Sequence, residues 1–190
     1  MRNNRRSVIG VVAFIAVLYI VFRLLAFPAG LFSATFIGGF VIWMLTMYRV
    51  PVDPQVIAVP HLVTVMLFIV HVYEEFAAHI EIVMTRLTGV QVSQGIFLTI
   101  AAFIAPIIWI AGLVMVHKRW AFGYFFVSVF YFGMMFGELT HFIFPIVLDG
   151  RFHYMAGMYT ALLPSLAAWY TFGVVWRNVR SARRRPGSAT

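Results

Sequence analysis

Six acidic residues occur in this chain of 190, and four of them stand inside strongly apolar stretches: Glu74, Glu75, Glu81 and Glu138. Asp53 and Asp149 fall where the sequence reads as loops. A charged side chain at the centre of a bilayer costs roughly 2.5–3.5 kcal/mol even on the lenient insertion scale, so four together cost about 10 kcal/mol. That is comparable to the stability of a whole domain. Something must compensate them: a metal ion, a cationic partner, protonation or a water-filled cavity.

The histidines nearest these acids suggest a metal. The stretch His71-Val72-Tyr73-Glu74-Glu75-Phe76-Ala77-Ala78-His79 reads as one helix. With about 100° per residue, His71, Glu74, Glu75, His79 and Glu81 fall within one arc of about 160°. Further on, Glu138-Leu139-Thr140-His141 places a carboxylate and an imidazole three apart on one face, the ligand pair of di-iron carboxylate bundles. Tyr131 and Tyr124 stand seven and fourteen residues before Glu138 and line up beneath it. The two segments cross in the same direction and overlap in depth, so they can face each other. His71, Glu75, Glu138 and His141 are the expected ligands, with His79 as a further one. Glu74 is expected to bridge or to act as general base, and Tyr131 is a candidate catalytic phenol. His153, just beyond the second segment, is a possible additional ligand. The mixed nitrogen and oxygen donors suit iron, manganese or zinc, with iron favoured, and the absence of cysteine removes thiolate sites. His71-x-x-Glu74-Glu75 is also similar to inverted zinc-protease motifs, but a glutamate stands where the final histidine belongs.

These residues need elements to hold them, and the composition says which kind. The chain is 63% hydrophobic and 11% charged, with a mean hydropathy of +0.94, far from the roughly 25% charged residues of soluble domains. A water-soluble globule is excluded. At about 20 apolar residues per crossing, the expected fold is an all-α polytopic bundle of six transmembrane helices. The spans run at about 8–27, 31–48, 58–86, 96–116, 120–148 and 154–176, with a turn at Pro28-Ala29-Gly30. A single domain is expected, ending in a basic tail, 177–190, that looks disordered from Ser181. Eleven of the fourteen basic residues, including Arg2, Arg5, Arg6 and the tail arginines Arg177 to Arg185, then share one side. That asymmetry predicts cytoplasmic termini in the plasma membrane, with anionic lipid headgroups as partners. Reading the first span as a cleaved signal peptide would leave one basic end outside. A nucleic-acid surface would need basic residues interleaved with aromatics on a folded face, and none is present.

Three uses of the polar stripe fit this pattern: a metal site, a proton- or ion-conducting path, and a structural network with Arg23. His71 to Glu75 resembles the motif of the HXXEE-domain family of bacterial integral membrane proteins. The likeness extends to Glu138-Leu139-Thr140-His141 and to Tyr154-Met155-Ala156-Gly157-Met158-Tyr159-Thr160-Ala161 followed by Pro164, and covers roughly residues 55 to 170. The resemblance implies a membrane enzyme with a catalytic site around His71, Glu74, Glu75 and His141, without naming a reaction. The expectation is a metal-dependent enzyme acting on a hydrophobic small molecule such as a lipid or isoprenoid. A dinuclear iron oxidoreductase is favoured over a zinc hydrolase, and a transporter using the same carboxylates is the alternative.

Overall fold

The computed structural model describes residues 5–24 and 29–184. Pro28, Arg2, Arg185 and the end of the tail lie outside the described residues. Among those described the chain is helical and has no strand. In chain order the elements are α1 (Arg5–Leu24), α2 (Ala29–Leu45), α3 (Pro54–Ala77), α4 (Ile80–Thr88), α5 (Gln94–His117), α6 (Ala121–Asp149) and α7 (Leu162–Arg183).

Four of these, α1, α3, α5 and α6, are long and apolar enough to cross a membrane. The other two expected spans are shorter, for separate reasons. α2 has 17 residues, about 25 Å of helix against a hydrocarbon core of about 30 Å. α7 begins at Leu162 rather than at Tyr154, so its apolar part is cut short before Arg177. The eight residues from Tyr154 to Ala161 form turns instead, with Gly157 at φ +88°.

α6 is the central element and packs against α1, α2, α5 and α7, while α3 packs against α5 and α7. Gly39 lets α2 approach the backbone of α6 at Val129, and Gly123 does the same between α6 and α5 at Val116. Phe14, Phe36, Phe125, Phe126 and Trp43 interlock edge-on and tilted below the polar site, the arrangement the ring quadrupoles favour.

Two local departures from the regular α-helix set up the site. α3 starts with Pro54 behind an Asp53 cap whose side chain accepts from the Gln55 N–H, a sequence-encoded start. It stops at Ala77, because His79 turns left-handed at φ 58°. Gln94 donates its side-chain N–H to the Phe76 carbonyl, which also accepts from the His79 N–H. A single helix through Arg86, as expected from hydropathy, is therefore broken in two. In α6, residues Gly133–Gly137 form a π-helical turn and Glu138–Phe142 a 3-10 turn. Side chains three apart eclipse in a 3-10 turn, so Glu138 and His141 lie one above the other.

Candidate metal centre

His71 and Glu75, one turn apart on α3, meet Glu138 and His141 on the 3-10 turn of α6. His71 Nε2 is 2.7 Å from Glu138 Oε2 and 3.6 Å from Glu75 Oε1. His141 Nε2 is 3.3 Å from Glu75 Oε1 and 3.6 Å from Glu138 Oε2. The two rings cross at 84° with centroids 4.9 Å apart. Side-chain exposure is 0% for His71 and 12% for Glu75, so solvent does little to separate these groups. One donor atom each from His71, Glu75 and His141 lies within 4.8 Å of the others. Two donors bound to one ion at about 2.1 Å stand about 3.4 Å apart in tetrahedral geometry, close to the measured separations.

The hydrogen bonds behind the rings decide which nitrogen faces this centre. His141 Nδ1 is 2.7 Å from the Ala156 carbonyl, which can only accept, so Nδ1 carries the proton. His71 Nδ1 is 3.0 Å from Thr160 Oγ1, and that hydroxyl spends its one hydrogen on Glu74 Oε2, 2.6 Å away. Nδ1 of His71 therefore donates as well. In the neutral imidazole each Nε2 is left as a lone pair, and both lone pairs point toward two carboxylates. His71 Nε2 stands 2.7 Å from Glu138 Oε2. Lone pairs facing carboxylate oxygens repel unless a proton or a metal ion stands between them, and the convergence of both rings on two carboxylates suits either. Ring N–H groups held by a carbonyl or a carboxylate-linked hydroxyl are also how proteins fix histidine as a metal ligand.

Glu74 has a different task from the one its place in the stripe suggested. Its Oε1 accepts from the Tyr154 hydroxyl and the Tyr159 N–H, and its Oε2 from the Thr160 N–H and hydroxyl. All four acceptor positions of the carboxylate are engaged, which leaves none to bridge metals or take a proton. Burial and the neighbouring Glu74 carboxylate push the Tyr154 phenol up to about 12, so it stays a donor. Glu74 thus pins the 154–161 turn over the centre. Replacing it by Gln puts an N–H₂ donor against two existing donors, and should lower stability by about 2 kcal/mol in a detergent melt. Glu74→Asp should recover part of that loss.

The turn lies directly on the two rings. A Cβ at Gly157 would stand 2.6 Å from His141 Nδ1 and Cε1 and 3.0 Å from His71 Cε1, and φ +88° is open to glycine. Gly157, Thr160 and the Ala156 carbonyl are functional parts that the sequence reading did not single out as site residues. The available signal was a glycine inside an otherwise helical pattern, which often marks close backbone approach.

The remaining sequence candidates are placed elsewhere. His79 does not join the centre, because the left-handed turn carries it off the helix face; it is 58% exposed and pairs with Glu81 at 3.0 Å. Glu81 goes with it. His153 pairs with Asp149 at 2.9 Å, next to the Arg86–Asp149 bridge, and serves the loop after α6. Tyr131 is fully buried and its hydroxyl is 3.3 Å from His61 Nδ1, while His61 Nε2 reaches the Trp109 carbonyl. Tyr131 stands seven residues, about two turns, below Glu138 on α6, and its hydroxyl is turned to His61 rather than to the imidazoles of the centre. Arg23 is exposed on α1, which packs against α2 and α6, and so is not the cation of a network here.

No family model, curated protein or solved structure matches the chain. Function is therefore argued from the site. Beside the centre lies a cavity of about 230 Å³. Glu75, Glu138 and His141 form its polar patch, and most of the rest is apolar, including Phe68, Met84 and Trp109.

Proposed function

We propose that this protein is a metal-dependent integral membrane enzyme acting on a hydrophobic, membrane-dissolved molecule. The observation that carries the reading is the convergence of two oriented imidazole Nε2 atoms and two carboxylates on the wall of an apolar cavity. A group meant only for structure needs no cavity, and a conducting path needs polar walls.

His71, His141 and Glu75 would hold one divalent ion. Two ions are not favoured, because Glu74, the residue expected to bridge them, is fully engaged by the 154–161 turn. Two imidazoles and one carboxylate form the donor set of non-haem iron oxygenases and also of zinc hydrolases. Iron is preferred over zinc or manganese, since the cavity offers hydrocarbon to the centre. The ion would supply Lewis acidity and open positions for a small co-reactant. Glu138, buried between both imidazoles, is the carboxylate placed to hold or pass a proton, in place of Glu74. The apolar walls exclude water, and Gly157 and Thr160 keep both rings aligned. The resemblance of His71 to Glu75 to the HXXEE-domain family supports the same site and belongs to this reading.

In the same proposal α2 and α7 complete six crossings of a bacterial plasma membrane with both termini cytoplasmic, as the basic residues favour. Reporter fusions at the two ends should give the same cytoplasmic signal; opposite signals would refute six crossings.

The test of the metal reading is a melting series in detergent. A ligand at about 1,000 times its dissociation constant stabilises by about 4 kcal/mol, which is about 10 °C for a chain of this size. Chelator should remove that gain from the unmodified protein. Glu75→Gln, which loses an anionic donor, should melt alike with and without chelator. With a purely structural carboxylate the unmodified protein would also melt alike with and without chelator, and Glu75→Gln would be neutral or stabilising, because it loses a buried charge.

A further inference from the structure

The cavity beside the metal centre is long and narrow, and its shape speaks to what fills it. Two helices, α5 and α6, report its length independently, and α3 lines its lower half. Along α6 its lining runs from Val129 to Phe144, along α3 from Phe68 to Glu75, and along α5 from Trp109 back to Phe97. α5 runs antiparallel to the other two, so Val129, Phe68 and Trp109 share the deep end. Fifteen residues of α6 correspond to about 20 Å. The space open to the centre of a water-sized sphere, about 230 Å³, then averages about 12 Å² in cross-section over that length. With the sphere's own radius of about 1.4 Å added, such a bore is about 7 Å wide and has room for one extended hydrocarbon chain along its length.

The polar residues stand along the side of this bore rather than at its end. Glu138 is nine residues above Val129, leaving about 13 Å of apolar channel beneath it. Trp109 and Phe130, stacked at 5.1 Å and 30°, stand at the deep end. Leu87 and Phe144 continue the apolar wall beyond His141.

We infer that the substrate is an extended acyclic hydrocarbon chain, acyl or polyprenyl, threaded with its apolar end against Trp109 and Phe130. An interior carbon of the chain, rather than its terminus, lies beside His71, Glu75, Glu138 and His141. This inference rests on the enzyme reading above and names its substrate class. A chain lying in the bore replaces apolar lipid contacts with apolar wall contacts, and its place relative to the centre is set by the depth of the deep end. Lengthening or shortening the channel below the centre should therefore shift which chains bind.

Indole fluorescence offers the readout, because bromine quenches it at contact. Chains of stearoyl length brominated at the methyl end, at mid-chain or near the carboxyl are added to the detergent-solubilised protein. Brominated polyprenyl alcohols form a parallel arm, and a brominated sterol a third. The signal is the quenching lost in Trp109→Phe, which removes the lipid-facing tryptophans from the comparison. Methyl-end bromine should quench Trp109 most and carboxyl-end bromine least, in the acyl arm, the polyprenyl arm or both. Gly137→Leu should abolish this quenching, since Gly137 lines the cavity and a Cβ there meets nothing within 4 Å. Ala105→Phe, at the deep end, should lose quenching by long chains and keep binding of shorter ones. Equal quenching from all bromine positions, or quenching by the sterol in place of the chains, would overturn the inference. Metal content is measured on the same samples. Bound metal without chain-specific quenching refutes the chain alone, and chain-specific quenching in metal-free protein refutes the metal reading alone.

Discussion

Replacing His141 with alanine is expected to abolish metal binding, and His71→Ala should do the same. Each removes a nitrogen donor whose ring is already fixed by a bond from Nδ1. Loss of a group that merely orients a ligand typically costs 10–100-fold in metal affinity, and loss of the ligand itself should exceed about 100-fold. His79→Ala and His153→Ala are the controls. Both residues belonged to the expected ligand set by sequence, but they are partly exposed and pair with Glu81 and Asp149. Metal stoichiometry should be unchanged in both. A loss of metal in His79→Ala equal to that in His141→Ala would show that the left-handed turn after α3 does not separate it from the centre.

The second large effect is expected at a residue with no side chain. Gly157→Ala forces a left-handed backbone on an L-residue, about 1–2 kcal/mol, and sets its Cβ against the His141 ring at 2.6 Å. The turn cannot lift without breaking the four bonds to Glu74. The ring must then move, and both stability and metal affinity should fall, the latter by about 10–100-fold. Gly137→Ala is the matched comparison. There a Cβ meets nothing within 4 Å in a right-handed helical backbone, so the change should be neutral or raise stability by about 0.5–1 kcal/mol. Parallel melting and metal titration of the two variants checks both. Equal behaviour would contradict the close packing of the turn on the rings.

The contrast between these residues shows what the sequence could carry. His71 with Glu75 and Glu138 with His141 were legible because each pair obeys a helical repeat, and because a carboxylate in an apolar stretch demands compensation wherever the fold puts it. Of the metal candidates that the fold places apart, His79 rests on a helix expected to continue, and His153 on its nearness to the end of a span. The helix after Ala77 breaks at a histidine in the left-handed region, held by Gln94 from the next element. A non-glycine residue there leaves no mark in the local sequence, since tertiary hydrogen bonds decide it. The start of α7 was misplaced for a related reason. Tyr154 to Ala161 is apolar enough to read as membrane helix, but the N–H groups of Tyr159 and Thr160 go to Glu74, 85 and 86 residues earlier, rather than to carbonyls of a regular helix. Glu74 likewise sits on the polar face that periodicity assigns it, yet its partners come from that turn and not from a metal. The π turn followed by the 3-10 turn in α6 was equally silent, although it brings Glu138 and His141 into register.

The central claim is that His71, Glu75 and His141 hold one metal ion. Elemental analysis of the protein purified from cells grown with iron, zinc and manganese present tests it most directly, with the His71→Ala/His141→Ala double variant prepared alongside. About one equivalent of a single metal per chain is expected, as the one three-residue donor group among the described residues requires, and none in the double variant. Equal metal content in the two preparations, or a metal-free unmodified protein that also fails to take up any of the three ions on titration, would contradict it.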